Sequence, residues 1–305
     1  MGDGLDEAQH FYDLDIGQYL NYLRDSGKKP YPFILIAGRR GLGKSFLARD
    51  IVWYFRNYEK VLCFCGSEVA NGDWAAECEA CEKELGASAS HTCRIPPACI
   101  HPQYNPTIIG KVVQAQMKEF SEKGDACSRL LIILDDVSMD AEILNKCKTL
   151  KQIAMMGRHF KISCIVITQY IMDLQPKLRR QATMFFTLGE TDDAVIKALK
   201  REFFSCLGTE KTVQKIMMVL TDDFGCMAKV DTSSKAVKDM VFRYKAKDRG
   251  AYQIGSKEFR DWVMRHTLTQ REIDQRNDQT TQYKKGQVHV KVHDKTGRVY
   301  INKST

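Results

Sequence analysis

Near-continuous apolar runs punctuate the first two-thirds of the chain at 33–37, 61–65, 130–136, 163–169 and 184–188. Short runs without polar alternation predict strands covered on both faces. Between them lie stretches long enough for helices, at 45–57, 106–122, 141–156 and 173–180. Strands alternating with helices predict an α/β fold, a mainly parallel sheet whose ligands bind at the carboxyl ends of its strands.

The texture changes after residue 190. Helices are predicted at 192–204 and 210–220, short strands at 226–230 and 241–244, and a helix at 255–265. This stretch reads as a smaller C-terminal α+β annex. From about 266 the chain is polar as far as Gly286, and then Val288, Val290 and Val292 alternate with polar residues. A turn at Asp294-Lys-Thr-Gly297 leads to Val299 and Ile301, which is the pattern of a terminal β-hairpin. Such a hairpin is marginal alone and needs a core or a partner to pack on. The expected organisation is an acidic arm over 1–30, a core over 31–190 with a Cys-rich insertion at about 75–100, a basic subdomain over 191–265, and a polar tail over 266–305.

The segment from Phe33 to Phe46 carries the most chemistry, because an apolar strand runs directly into G-x-x-x-x-G-K-S and then into a helical pattern. That arrangement is a P-loop. Glycines let the backbone turn tightly and aim N–H groups at phosphate oxygens, while the following helix presents its positive end to the same anion. The expected nucleotide-binding residues are Gly38, Arg39, Arg40, Gly41, Leu42, Gly43, Lys44, Ser45 and Phe46. Lys44 would reach the β- and γ-phosphates of ATP, and Ser45 would hold Mg²⁺.

Hydrolysis also requires a metal carboxylate, a group that activates water and a sensor of the γ-phosphate. Leu130-Leu-Ile-Ile-Leu-Asp-Asp136 is an apolar strand ending in paired acids, the Walker B pattern. Asp135 would contact Mg²⁺, and Asp136 would orient or deprotonate the attacking water. Many P-loop ATPases carry Glu at this second position, so the shorter Asp136 is a departure. The next strand, Ile162-Ser-Cys-Ile-Val-Ile-Thr-Gln169, ends in Thr and Gln, and Gln169 is the sensor candidate. Arg158, Arg179 and Arg180 are the arginines suited to stabilising transition-state charge.

Composition narrows the partners. The net charge is +8, and residues 1–190 carry 23 Lys/Arg against 23 Asp/Glu while residues 191–305 carry 23 against 15. The excess therefore lies in the C-terminal part, where it either suits a polyanionic partner or forms a solvated Lys-rich surface. No apolar run approaches the roughly 20 residues that span a bilayer, and the acidic start is unlike a signal peptide, so the chain reads as soluble and intracellular. Eleven cysteines in that setting point to reduced thiols or metal ligation. Cys78-x₂-Cys81, His91, Cys93, Cys99 and His101 could close a structural Zn²⁺ site, with Cys78, Cys81, Cys93 and either Cys99 or His91 as ligands. Ordinary reduced thiols are the plainer alternative.

In this order the pieces resemble the poxvirus-type genome-packaging ATPases of nucleocytoplasmic large DNA viruses, a branch of the FtsK/HerA superfamily. The resemblance covers about 31–264 and extends to Gly66-Ser-Glu-Val-Ala-Asn71, Ile95-Pro-Pro-Ala-Cys-Ile-His101, Gly157-Arg-His-Phe-Lys-Ile-Ser163, Leu220-Thr-Asp-Asp-Phe-Gly-Cys226 and Val241-Phe-Arg-Tyr-Lys-Ala246. It implies a RecA-like motor domain working as a homo-oligomeric ring that moves double-stranded DNA into a capsid, with capsid or portal-like proteins as further partners. It also implies Gln169 as sensor, Arg158 as the residue acting across the subunit interface, and a location in the cytoplasmic viral factory or the virion. Two other readings are a P-loop nucleoside or small-molecule kinase, and a nucleotide-binding assembly adaptor with little turnover. The Thr168-Gln169 strand end and the basic C-terminal part favour the motor.

Overall fold

The structure is a computed structural model that describes residues 10–67, 74, 94–136, 145–250, 252–266, 289–292 and 299–302. It divides into a large unit, residues 1–262, and a small unit, residues 263–305.

The first helix among the described residues of the large unit is α1 (Ile16–Asp25), which lies within the expected acidic arm where the sequence pattern predicts none. Asp15 caps it by accepting from the Gln18 N–H at 2.9 Å, and Ile16, Tyr19 and Leu23 form its buried stripe. The preceding residues run beside the last strand of the sheet, with Leu14 N donating to Arg243 O at 2.8 Å and Arg243 N donating to Tyr12 O at 2.9 Å. Part of the expected arm therefore covers a sheet edge, which would otherwise offer unpaired backbone groups.

The alternation read from the sequence follows. It comprises β1 (Phe33–Ala37), α2 (Lys44–Trp53), β2 (Lys60–Cys65), β3 (Ile100–His101), α3 (Pro106–Lys123) and β4 (Leu130–Asp135). Next come α4 (Lys148–Met156), β5 (Ile162–Thr168), α5 (Pro176–Arg179) and β6 (Met184–Thr187). The segment after 190 supplies α6 (Asp193–Glu202), α7 (Glu210–Leu220), β7 (Gly225–Val230) and β8 (Val241–Lys245), and α8 (Lys257–His266) comes after it.

Among the described residues the large unit holds one eight-stranded sheet, ordered β3-β2-β4-β5-β1-β6-β7-β8. Its strands are parallel from β3 to β6, and β7 and β8 join antiparallel. This is the expected α/β fold with a mainly parallel sheet. The annex extends the same sheet, since β7 pairs with β6.

Every residue of β1, β4 and β5 is buried, which is why these strands read as unbroken apolar runs. On one face Leu35, Ile132, Leu134, Val166 and Phe185 pack in one cluster with Ile109 and Val113 of α3, Leu150 and Ile153 of α4, and Leu199 of α6. Each such side chain contributes about 1.5–3 kcal/mol on burial, so the central strands are firmly held. A buried polar pair, Tyr58 Oη with Ser163 Oγ at 2.9 Å, satisfies both hydroxyls inside the sheet layer.

Two expected helices differ from their patterns, one shortened and one interrupted at Cys147. The 173–180 helix shrinks to α5 because Pro176 holds Gln175 extended (φ −60, ψ 145), so no helix passes through that position. The 141–156 helix is represented by α4, preceded by Cys147 in an extended conformation (φ −66, ψ 115); residues 137–144 lie outside the described residues.

In the small unit, β9 (His289–Val292) and β10 (Val299–Asn302) pair antiparallel, with Val292 opposite Val299 and Val290 opposite Ile301.

Candidate nucleotide site

Three strand ends meet in one row. Across the sheet Ile36 of β1 pairs with Ile167 of β5, which pairs with Asp135 of β4. The row continues past the strands, because Gly38 N donates to Thr168 O at 3.3 Å and Gly66 N donates to Asp135 O at 3.3 Å. The exits of the glycine loop, the Thr-Gln strand and the paired-acid strand are thus neighbours, with the Thr-Gln strand in the middle.

The loop itself depends on backbone conformations that side chains disfavour. Gly41 (φ 85) and Gly43 (φ 88) are left-handed, and Gly43 starts α2, its carbonyl accepting from Leu47 N at 3.0 Å. Lys44 and Ser45 therefore occupy the first turn of the helix, where unsatisfied N–H groups and the helix dipole favour an anion. Gly38 serves differently: a Cβ there would lie 2.9 Å from Leu188 Cβ, so the residue permits close approach to the end of β6.

Lys44 Nζ donates to Arg39 O at 2.8 Å, which arches the side chain over the loop. Burial draws its pKa down, while the charges of Asp136 and then Asp135 push it back up. The P-loop lysine and both acids therefore share one electrostatic environment. Arg39 leans to the far side of the loop, with Nε 3.6 Å from Glu190 Oε1. Glu190 is in turn fixed by accepting from the N–H groups of Thr191 at 2.8 Å and Asp192 at 3.1 Å.

The paired acids have distinct surroundings. Asp135 is buried, and its Oδ2 accepts from the Trp74 indole N–H at 2.8 Å and from Cys65 Sγ at 3.7 Å. Asp136 leaves the strand in a left-handed conformation (φ 50), uncommon for a residue with a side chain, and its Oδ1 accepts from Gln169 Nε2 at 2.9 Å. The sensor candidate at the end of β5 thus reaches the candidate water-activating acid at the end of β4.

The arginines separate clearly. Arg158 is exposed in the 3₁₀ turn Gly157–Phe160, just before β5, at the opposite end of the sheet from the P-loop. Within one chain it is not brought to Lys44. Arg179 is 2% exposed and pairs with Glu202, itself 5% exposed, at 3.6 Å. It is consequently a buried structural cation and does not fit a charge-stabilising role in a neighbour's site. Arg180 is exposed, with Nε 3.8 Å from Glu202 Oε2.

Of the expected zinc ligands, Cys78, Cys81 and Cys93 lie outside the described residues, as does His91. Cys99 is buried, and burial pushes its thiol up to about 12, so it favours the neutral form. His101 packs against Phe64 with ring centroids 5.3 Å apart. Among the described residues, no group of three or more His, Cys, Asp or Glu side chains is arranged to hold a metal.

Sequence reading missed Trp74, Glu190 and Asp50. Asp50, in the middle of α2, is buried and accepts from Tyr244 Oη, Arg249 Nε and, at 3.0 Å, Lys247 N. The Arg249 guanidinium also lies over the rings of Trp53 at 4.2 Å and Tyr54 at 4.9 Å. The segment after β8 is thereby clamped to the P-loop helix. The one local signal was an acid on the apolar side of a helical pattern, since a buried carboxylate needs a partner.

A glycine loop between a buried strand and a helix start, set beside a paired-acid strand with one strand between them, defines a P-loop NTPase of RecA-like fold. Residues 104–249 match the family model described as Poxvirus A32 protein, the poxvirus-type family whose resemblance the sequence carries. The chain is similar to uncharacterized protein L437 of Acanthamoeba polyphaga mimivirus, 24% identical over 241 residues that cover 75% of this chain and 78% of that protein. It is 26% identical over 215 residues to uncharacterized protein 015R of Frog virus 3 (isolate Goorha), covering 70% of this chain and 61% of that one. Among solved structures it is similar to the genome packaging NTPase B204 from Sulfolobus turreted icosahedral virus 2 in complex with sulfate, with 14% identity, a TM-score of 0.47, and coverage of 72% of this chain and 98% of that chain. Among the described residues no helix is long and apolar enough to cross a membrane.

Proposed function

We propose that this chain is an ATP-hydrolysing motor that translocates double-stranded DNA into a viral capsid, working as a homo-oligomeric ring. The observation that carries the hydrolytic part is the hydrogen bond from Gln169 to Asp136, 2.9 Å long, beside a P-loop lysine that feels both Asp136 and Asp135. A nucleotide-binding module without turnover has no need of a γ-phosphate sensor coupled to the acid beside the metal carboxylate. The DNA-packaging part follows from the family match over 104–249 and from the basic excess of the C-terminal part.

In this reading the loop 38–46 cradles the phosphates, and Lys44 neutralises charge on the β- and γ-phosphates. Ser45 and Asp135 supply a hydroxyl and a carboxylate, donors suited to Mg²⁺, which would offset phosphate charge when bound. Asp136 orients or deprotonates water, and Gln169 reports the γ-phosphate to it. Arg158, exposed at the opposite end of the sheet, completes a neighbour's site across the ring. Such an arginine contributes on the order of 10³-fold or more in rate.

Residues 191–265 face the duplex and contact phosphates without reading bases, because a translocase must pass over any sequence. Capsid or portal-like proteins dock the ring, and the protein works in the viral factory or the virion. A zinc staple in the cysteine-rich insertion would draw on Cys78, Cys81 and Cys93, with Cys99 or His91 as the fourth ligand.

The test is ATP hydrolysis by the full chain with and without long double-stranded DNA at low salt, alongside Lys44→Ala and Asp135→Asn. Turnover stimulated by DNA and lost in both variants is expected. Phosphoryl transfer to a nucleoside without DNA would reverse the assignment to a kinase. ATP binding without turnover, even with DNA and assembled oligomer, would make the chain an adaptor.

A further inference from the structure

An apolar cleft of 350 Å³ opens directly beside the P-loop. Leu42, Gly43 and Phe46 of the loop and helix start line it together with Leu188, Phe224 and Cys226. Its volume lies within the about 300–1,000 Å³ of ligand cavities, and it shares residues with the proposed phosphate cradle.

Phe224 is the least expected feature of this cleft. It is 77% exposed, and it follows Asp223 in a pair of left-handed residues, with φ 50 at Asp223 and φ 57 at Phe224. An aromatic residue in that conformation is strained, and an exposed ring gains little from solvent to offset it. The turn is held from both sides. Lys245 of β8 pairs with Asp223 at 2.5 Å, and Gly225 sits so close to Leu220 O that a Cβ would meet it at 2.4 Å. Phe46 is also half open to solvent, 40% exposed, and lines the same cleft.

We propose that this cleft is the nucleobase subsite of the nucleotide whose phosphates the P-loop takes, and that Phe224 stacks on a purine ring. The inference deepens the nucleotide reading above and depends on it. Continuity is what selects the occupant: a base joined through ribose to phosphates at Gly43–Ser45 has the adjoining cleft within reach, and aromatic faces stack on bases irrespective of base identity. Lys245 is the one charged side chain lining the cleft among the described residues, and no side-chain amide or carboxylate lines it. Recognition is therefore by shape and stacking, and a lining of this kind discriminates weakly between purines that differ at a polar edge.

Binding of ATP, GTP and inorganic tripolyphosphate to the full chain, measured calorimetrically with Mg²⁺ present, tests the inference. The variants are Phe224→Ala, Phe224→Leu, Phe224→Tyr and Lys44→Ala. Both ring-removing variants should weaken ATP and GTP about tenfold while leaving tripolyphosphate unchanged, and Phe224→Tyr should bind as wild type. Wild-type affinities for ATP and GTP should agree within about tenfold. Unchanged ATP affinity in Phe224→Ala and Phe224→Leu, with ATP and tripolyphosphate both lost in Lys44→Ala, would overturn the base subsite while leaving the P-loop reading intact. Equal loss of ATP and tripolyphosphate in the ring-removing variants would also overturn it, because Phe224 would then act through the shape of the loop. Retention of both ligands in Lys44→Ala would instead contradict the P-loop reading itself.

Discussion

The indole N–H of Trp74 donates to Asp135 Oδ2 at 2.8 Å, so a buried tryptophan holds the carboxylate that the sequence marks for magnesium. A hydrogen bond to a charged group contributes about 1.5–3 kcal/mol, and this one also fixes which way the carboxylate faces. Trp74→Phe keeps the packing and removes the donor. The magnesium concentration for half-maximal ATP turnover should rise by about tenfold, on the scale of that hydrogen bond. An unchanged magnesium titration would show that Asp135 is oriented by other groups.

Gln169 and Asp136 form the second contact at the strand ends. Asp136→Asn and Gln169→Ala should each lower kcat by about 10²-fold or more while ATP affinity stays within a few-fold, because neither group is needed to hold phosphate. Single-turnover hydrolysis with parallel binding measurements separates the two quantities. Loss of affinity in step with rate would place these residues in ground-state binding.

Arg179 and Glu202 test the distinction among the arginines. Removing one partner of a buried pair leaves an uncompensated charge and costs about 3–5 kcal/mol, so Glu202→Ala and Arg179→Ala should each unfold at markedly lower denaturant concentration. Arg180→Ala should be near neutral for stability, because its side chain is largely in solvent. A stable Arg179→Ala variant with defective turnover would return Arg179 to the catalytic candidates.

Acid should weaken the fold partly through Glu119. Burial works to raise its pKa, but hydrogen bonds from Lys60, Lys123 and Ser128 outweigh it and hold the carboxyl at about 2. A carboxyl depressed in the folded state stabilises above its unfolded pKa, and that contribution is lost as pH falls through the folded value. Stability should therefore decline between about pH 4.5 and pH 2 more steeply in the wild type than in Glu119→Gln. Denaturant midpoints measured across that interval give the comparison, and parallel curves would remove Glu119 from the account.

The central sheet was legible because β1, β4 and β5 are buried on both faces and leave unbroken apolar runs. The P-loop was legible because its chemistry is local: glycine spacing, a lysine and a serine within one turn. What stayed hidden depends on distance in sequence. Trp74 reaches Asp135 across 61 positions, and Tyr244 reaches Asp50 across 194, separations that no periodicity encodes. The helix α1 had its signals in plain view, an Asp cap and a stripe at Ile16, Tyr19 and Leu23, but a run of acidic and polar neighbours masked them. The difference between Arg158 and Arg179 was invisible for another reason, since only packing decides which of two arginines faces solvent.

Movement along DNA is the central claim, and displacement of a triplex-forming oligonucleotide from long double-stranded DNA measures it directly. The full chain should displace the third strand only with ATP and Mg²⁺, with Lys44→Ala inactive and displacement slowing as the intervening duplex lengthens. Robust DNA-stimulated hydrolysis without any displacement would contradict the motor and leave a DNA-dependent ATPase that does not translocate.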